Sequence, residues 1–380
     1  MNNSVDTFQS RSIQNLDIEI AQCKNNEKRL LLFAKKAGCL ARHAYIAEAK
    51  STLKELRLLN SEYDPKLSGW IIFAEGLVEH FDRLDNTKSK NKFARALLLG
   101  QMANDTELAG AASAWMAFCE MIAGDIQAAI DHVIAAFEWS SPNSGEARGR
   151  ASMVLADTFN WAGDTKAAKT WYKEARNHAI RDGDIAMQNV MLFNLAAFNV
   201  ANLTFADCVT PAKSEDLGYI HLEVSSANNL NAALGIQTLS SLGPTMLAEL
   251  NVVQRKWQDA ITLFNSNIEE IEKDGQARIV PKLIAQRAWC KANFGDLAGA
   301  REDVDLAMSK IADCSDVDDL AVLHSRIAAA GKLLGDKVIE SENSKLAFEF
   351  IAKFREQQGI TKGILDAAMP RLLQALKNPT

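Results

Sequence analysis

The chain has 380 residues, 48% of them hydrophobic, and a formal net charge of −6. Such a composition can fill a large core, and its acidic balance argues against a broad nucleic-acid footprint, which needs clustered Lys and Arg. With seven prolines and little strand-like alternation, it leans towards helix.

Residues 1–12 are polar, carry no apolar core of a secretory signal, and are expected to be disordered. From about Ile13 to Leu99 the apolar spacing predicts four helices. Two regular helix hairpins should follow between Asp105 and Ile180, separated by the turn-forming run Ser140–Gly145. After the turn Arg181–Asp184, the segment from Thr204 to Pro244 departs from the pattern, with Pro211, Gly218, Gly235, Gly243 and Pro244. Its second helix is expected to start near the capping run Ser214–Asp216. Regular hairpins return from Gly243 to Gln357, with a helix expected to start late, near Ser344. Residues 358–380, interrupted by Pro370, are expected to form a separate capping helix. No apolar run reaches the roughly 18–20 residues of a membrane span, so no membrane partner is expected.

The stretch NWAGDTKAAKTWYKEA, Asn160 to Ala175, carries the repeat. Gly163 suits a left-handed residue ending one helix, and Asp164 can cap the next. Ala168 and Ala175 lie seven apart on one face, small enough for two helix axes to approach closely. Gly124-Asp125 is followed likewise by Ala129 and Ala136, and Gly295-Asp296 by Ala300 and Ala307. Arg255-Lys256-Trp257 stands at the same turn before Ala260 and Phe264, and Gly335-Asp336 closes another first helix. Gly124 to Gly163 is 39 residues, and Arg255 to Gly295 and Gly295 to Gly335 are 40 each. That recurrence predicts stacked helix pairs.

Ala156, Phe159, Gly163, Ala168, Tyr172 and Ala175 resemble the small/aromatic signature of tetratricopeptide (TPR) repeats. Ala248, Trp257, Ala260 and Phe264, and again Ala288, Gly295, Ala300 and Ala307, do the same. The resemblance covers roughly residues 27–357 and implies an all-α fold: a right-handed α-solenoid of TPR-like helix pairs, with a period of about 40 rather than about 34 residues. The overall solenoid is expected to span 13–357. A narrower likeness joins LAELNVVQRKWQDAITLF, RAWCKANFGDLAGAREDVDLAM and DVDDLAVLHSRIAAAGKLLGD to the helical repeats ahead of bacterial GGDEF domains. No GGDEF or GGEEF sequence is present, so cyclase activity is not implied. Rap-like phosphatases and quorum-peptide receptors share the length and helical array, though no motif specific to them stands in the chain.

No residue set for chemistry emerges. HExxH, GxSxG, GxxxxGK[ST] and GxGxxG are missing, and the six histidines are dispersed. The closest ligand-like pairs are Glu79-His80 and Cys39 with His43. Asp313, Ser315, Asp316, Asp318 and Asp319 lack the central Gly and final Glu of an EF-hand and read as helix capping. The six scattered cysteines, none in CxxC spacing, read as reduced residues of a cytoplasmic protein. No catalysis, cofactor or metal is expected.

The TPR resemblance implies that the first helices of each pair line a concave face. It places Asp157, Asn160 and Trp161 there from one unit, Asn194 and Asn199 from the next, and Lys282, Gln286 and Trp289 from a later one. Amide side chains hold a peptide backbone by donating and accepting together, and Trp gives large contact area at low entropic cost. Asn194 matches the asparagine of the carboxylate clamp in chaperone-binding TPR proteins, but the clamp's lysines and arginine are missing. The expected function is a non-enzymatic, bacterial TPR-like adaptor or regulator binding a peptide or protein partner. The alternative is a ligand-responsive sensor acting on a separate signalling enzyme or transcription factor.

Overall fold

The computed structural model describes residues 10–60, 64–83, 85–210, 217–234 and 241–377. The described residues form seventeen α-helices joined by short turns, with no strand among them. They divide into two compact units, residues 1–191 with 358–380, and residues 192–357.

In the first unit α1 (Arg11–Gln22) precedes four hairpins. These pair α2 (Asn26–Arg42) with α3 (Ile46–Leu59), and α4 (Pro65–Arg83) with α5 (Asn86–Met102). Next come α6 (Thr106–Ile122) with α7 (Ile126–Trp139), and α8 (Arg150–Trp161) with α9 (Thr165–Asp182). The start of α1 at Arg11 lies inside the segment expected to be disordered; residues 1–9 fall outside the described residues. Trp70, Phe73, Phe93 and Trp115 fill much of this unit's core, with the Phe93 and Trp115 rings stacked at 5.4 Å.

The helix α10 (Ile185–Val209) runs from the first unit into the second. The second unit continues with α11 (Leu217–Leu234), α12 (Leu242–Val253) and α13 (Trp257–Lys273). Then come α14 (Val280–Phe294), α15 (Leu297–Ser309), α16 (Val317–Leu333) and the first part of α17 (Lys337–Lys377). Leu283, Phe264, Ile271 and Leu323 are core residues here. The irregular segment becomes a long helix followed by α11 immediately after the expected capping run. Pro211, Ser214–Asp216 and Gly235 themselves lie outside the described residues.

The hairpin turns follow the chemistry of the repeat. Gly124, Gly163, Gly295 and Gly335 have φ of 81°, 78°, 98° and 71°, a region L side chains disfavour. The next residue caps: Asp125 accepts from the Ala128 N–H, Asp164 from Ala167, Asp296 from Gly299 and Asp336 from Ile339. Because Asp336 caps, α17 begins at Lys337 and not near Ser344. It also continues through Pro370, so residues 358–377 belong to one unbroken helix. Proline removes one backbone bond, but Leu365, Ala368, Leu372 and Ala375 are buried on both sides of it and hold the helix in place. The Asp316 carboxylate does not cap α16 and pairs instead with Arg278.

First helices pack on one another, α2 on α4, α6 on α8 and α14 on α16, whereas second helices make no comparable contact. Within each unit these first helices therefore share one side, the inner face. One described helix, α10, is long and apolar enough to cross a membrane by length and composition. Gln188, Asn189, Asn194, Asn199 and Asn202 break its apolar run, which is why the sequence shows no continuous span.

Candidate functional site

The expected site residues divide between the two units, Asp157, Asn160 and Trp161 in the first and the other five in the second. Asp157 and Asn160 are buried, not presented on an open face. The Tyr172 hydroxyl of α9 donates to Asp157, so this carboxylate ties together its own hairpin. Trp161 is partly buried at the end of α8. In the second unit Asn199 donates to Glu223 of α11 at 2.6 Å, again within a hairpin, and Asn194 is partly buried.

Lys282, Gln286 and Trp289 lie along one side of α14, where Lys282 and Gln286 are buried like Asp157 and Asn160, and only Trp289 is partly exposed. Lys282 Nζ lies 3.1 Å from Glu249 of α12 and 2.9 Å from Asp319 of α16. Gln286 Nε2 donates to the same Glu249 at 2.8 Å. Burial opposes the charge on Lys282, but Asp319 and Glu249 outweigh it and raise its pKa above the usual lysine range. Burial and the neighbouring Asp319 also push the Asp318 carboxyl up, to about 6. One lysine faces two partner carboxylates, so this end of the stripe carries an excess of negative charge.

Trp289 marks the opposite end. Its ring has the Arg255 guanidinium 4.8 Å away and that of Arg326 4.2 Å away, with the Trp257 ring edge-on at 5.0 Å. Asp207, near the end of α10, holds both arginines. Arg255 Nη1 and Nη2 each donate to it at 2.8 Å, and Arg326 Nη2 donates at 2.7 Å. Burial would raise the Asp207 carboxyl, but Arg255 and Arg326 outweigh it and hold it below the usual carboxylate range. Burial likewise pushes the Cys290 thiol beneath this cluster up to about 12, which leaves it protonated and unreactive at neutral pH.

Asp207, Arg255 and Arg326 were not among the residues expected from sequence to form a site. One signal was visible: Arg255 occupies the turn position that holds glycine in four other hairpins. Asp207 and Arg326 carry no such mark, because 119 residues separate them in the chain.

The two ligand-like pairs are packing elements. His80 stacks edge-on against Phe81, Trp115 and Phe118, and burial pushes its pKa down to about 4. His43 Nδ1 bonds the Cys39 carbonyl at 2.8 Å, one turn back on α2. Among the described residues no three His, Cys, Asp or Glu side chains gather as a metal site.

No family model and no curated protein sequence matches the chain. Solved structures do. One is the crystal structure of a Rap protein complexed with competence and sporulation factor, similar at a TM-score of 0.57 and 13% identity over 92% of this chain and 94% of that one. At that identity the likeness is one of fold, and it agrees with the hairpin geometry above: the chain is an all-α, TPR-like helical-repeat protein.

Proposed function

We propose that this protein is a non-enzymatic adaptor or regulator that captures a peptide or protein segment on the inner face of the 192–357 unit. The observation that carries the reading is Trp289, partly exposed and set between two arginines, in line with Gln286 and Lys282 on α14. Lys282 and Gln286 are buried and bonded to Glu249 and Asp319, so the exposed part is Trp289 with Arg255, and an aromatic anchor beside an arginine is the pairing enriched where binding energy concentrates at a protein surface. The Rap protein of like fold was crystallised with competence and sporulation factor, which supports ligand capture by such an array. A cytoplasmic location belongs to the same reading, supported by six free cysteines, four of them buried.

Affinity purification from the source cells with full-length bait tests this. Trp289→Ala should lose the captured partner while keeping the helical circular-dichroism signal. Equal capture by wild type and variant overturns the assignment of this face.

A ligand-responsive sensor is the second reading, favoured by the opposite charges at the two ends of the α14 stripe. It draws also on the sequence likeness to helical regions preceding GGDEF domains. A sensor must bind its ligand with different affinity in two states. Scattering profiles that are identical with and without a bound ligand would remove this reading and leave the adaptor.

A further inference from the structure

We infer that a cleft in the first unit binds a small organic anion, with its charged group on Arg148 and Ser152 and its apolar body against Trp171 and Leu376. The site belongs to the first unit and stands independently of the peptide reading, which concerns the second.

The cleft forms where two second helices do not close on each other. The helices α7 and α9 pack on first helices and make little direct contact, which leaves a space of about 490 Å³ between them. Small-molecule sites span roughly 300–1,000 Å³. Phe137 of α7 and Trp171 of α9 line it with their rings stacked at 6.1 Å, and Leu376 near the end of α17 lines it as well. Arg148, in the π-helical turn Gly145–Gly149, and Ser152 of α8 supply its buried polar wall.

These two side chains carry the inference. Arg148 is 5% exposed and pairs with no acid among the described residues. Burial pushes its pKa down, and no neighbouring carboxylate counters the shift. Its Nη2 donates to the Phe137 and Ser140 carbonyls, both at 3.1 Å, which fixes the guanidinium at the end of α7. Its Nε is enclosed without a partner, whereas Nη1 is not enclosed and makes no hydrogen bond, so Nη1 is the donor left to the cleft. Ser152 follows four positions later on the same face. It is 2% exposed, and its hydroxyl bonds no group among the described residues and is not enclosed either.

The other charges in the wall do not answer Arg148. Arg181 is spent on Asp182 and on Asn143. Glu174 is exposed, with its charge in solvent. The buried end of the cleft is therefore positive and holds two free donors. A buried cation without a counter-charge is costly, and an oxyanion on Nη1 and the Ser152 hydroxyl supplies that charge through charge-assisted bonds. Carboxylate and phosphate share this chemistry, and the apolar wall selects a molecule with a flat or branched body over a bare ion.

Ligand-observed NMR titrations of the full-length protein test this, with phenyl phosphate, benzoate, inorganic phosphate and neutral phenol as probes. At least one of the two aromatic anions should bind with a dissociation constant of about 1 mM or below, and phenol about tenfold more weakly or not at all. The tighter of the two names the oxyanion. Arg148→Gln should weaken that binding about tenfold or more, and Ser152→Ala about fivefold, the scales of a charged and a neutral hydrogen bond. If Arg148→Gln loses its helical signal, Ser152→Ala decides, since its hydroxyl holds nothing in the fold. Phenol binding as tightly as the anions overturns the charged half of the proposal, and inorganic phosphate binding as tightly as phenyl phosphate overturns the apolar half. Absence of binding by wild type, or affinity unchanged in the folded variants, overturns the site.

Discussion

Arg255 and Asp207 meet across 48 positions of the chain through two parallel hydrogen bonds, both 2.8 Å long. Behind the same carboxylate stands Arg326, so a single acid whose side chain is fully covered secures an arginine from a turn and another from the middle of α16. The arrangement ties α10, the α12–α13 turn and α16 together at the edge where Trp289 lies.

Asp207→Asn should therefore be among the most damaging single changes in the second unit. It leaves the Arg326 guanidinium buried with no opposing charge, a loss of about 3–5 kcal/mol. Because the folded-state pKa of Asp207 is depressed, its contribution is present above the ordinary carboxylate pKa of about 4 and is lost as pH falls through the folded value. Urea melts at pH 7 and pH 3 should show a large wild-type versus variant difference at the first and a smaller one at the second.

Gly295→Ala should cost about 1–2 kcal/mol through its left-handed backbone alone, since an added Cβ meets no atom within 4 Å. Gly295→Asn should cost less. If thermal denaturation ranks alanine above asparagine, the strain account of these turns is wrong.

Tyr172→Phe removes one hydrogen-bond donor to the buried Asp157 carboxylate. The expected loss is about 1–3 kcal/mol, with the helical content of the folded state unchanged. Chemical denaturation would measure it; a loss within about 0.5 kcal/mol, the level of ordinary surface changes, would mean water replaces the hydroxyl at this site.

The pH profile should carry the signature of His80. Its folded pKa of about 4 lies below the ordinary value of 6.5, mainly through burial and then through Arg150. The unfolded chain thus binds the proton more readily, and stability is full above about 6.5 and falls as pH drops towards 4. His80→Phe, which keeps an aromatic ring among Phe81, Trp115 and Phe118, should flatten the decline over that window. An unchanged slope in the variant would assign the decline to other groups, such as His324, whose pKa burial also lowers.

By itself the sequence determined the hairpins. A glycine that tolerates positive φ, an aspartate that accepts from the next turn of backbone, and alanines seven apart are local devices, so Gly163, Asp164, Ala168 and Ala175 could be read without knowing what lay elsewhere. That Lys282, Gln286 and Trp289 share one side of a helix was legible for the same reason, since one helix sets their spacing. What each side chain meets was decided only in three dimensions. Asp157, Asn160 and Gln286 all look open in the sequence, yet all three are buried, because Tyr172 of α9 reaches Asp157 and Glu249 of α12 accepts from Gln286. Asp207 and Arg326 gave no sign of each other, because an ion pair spanning three hairpins depends on how far successive hairpins rotate, and that angle is set by summed packing along the stack and not by any short run of residues.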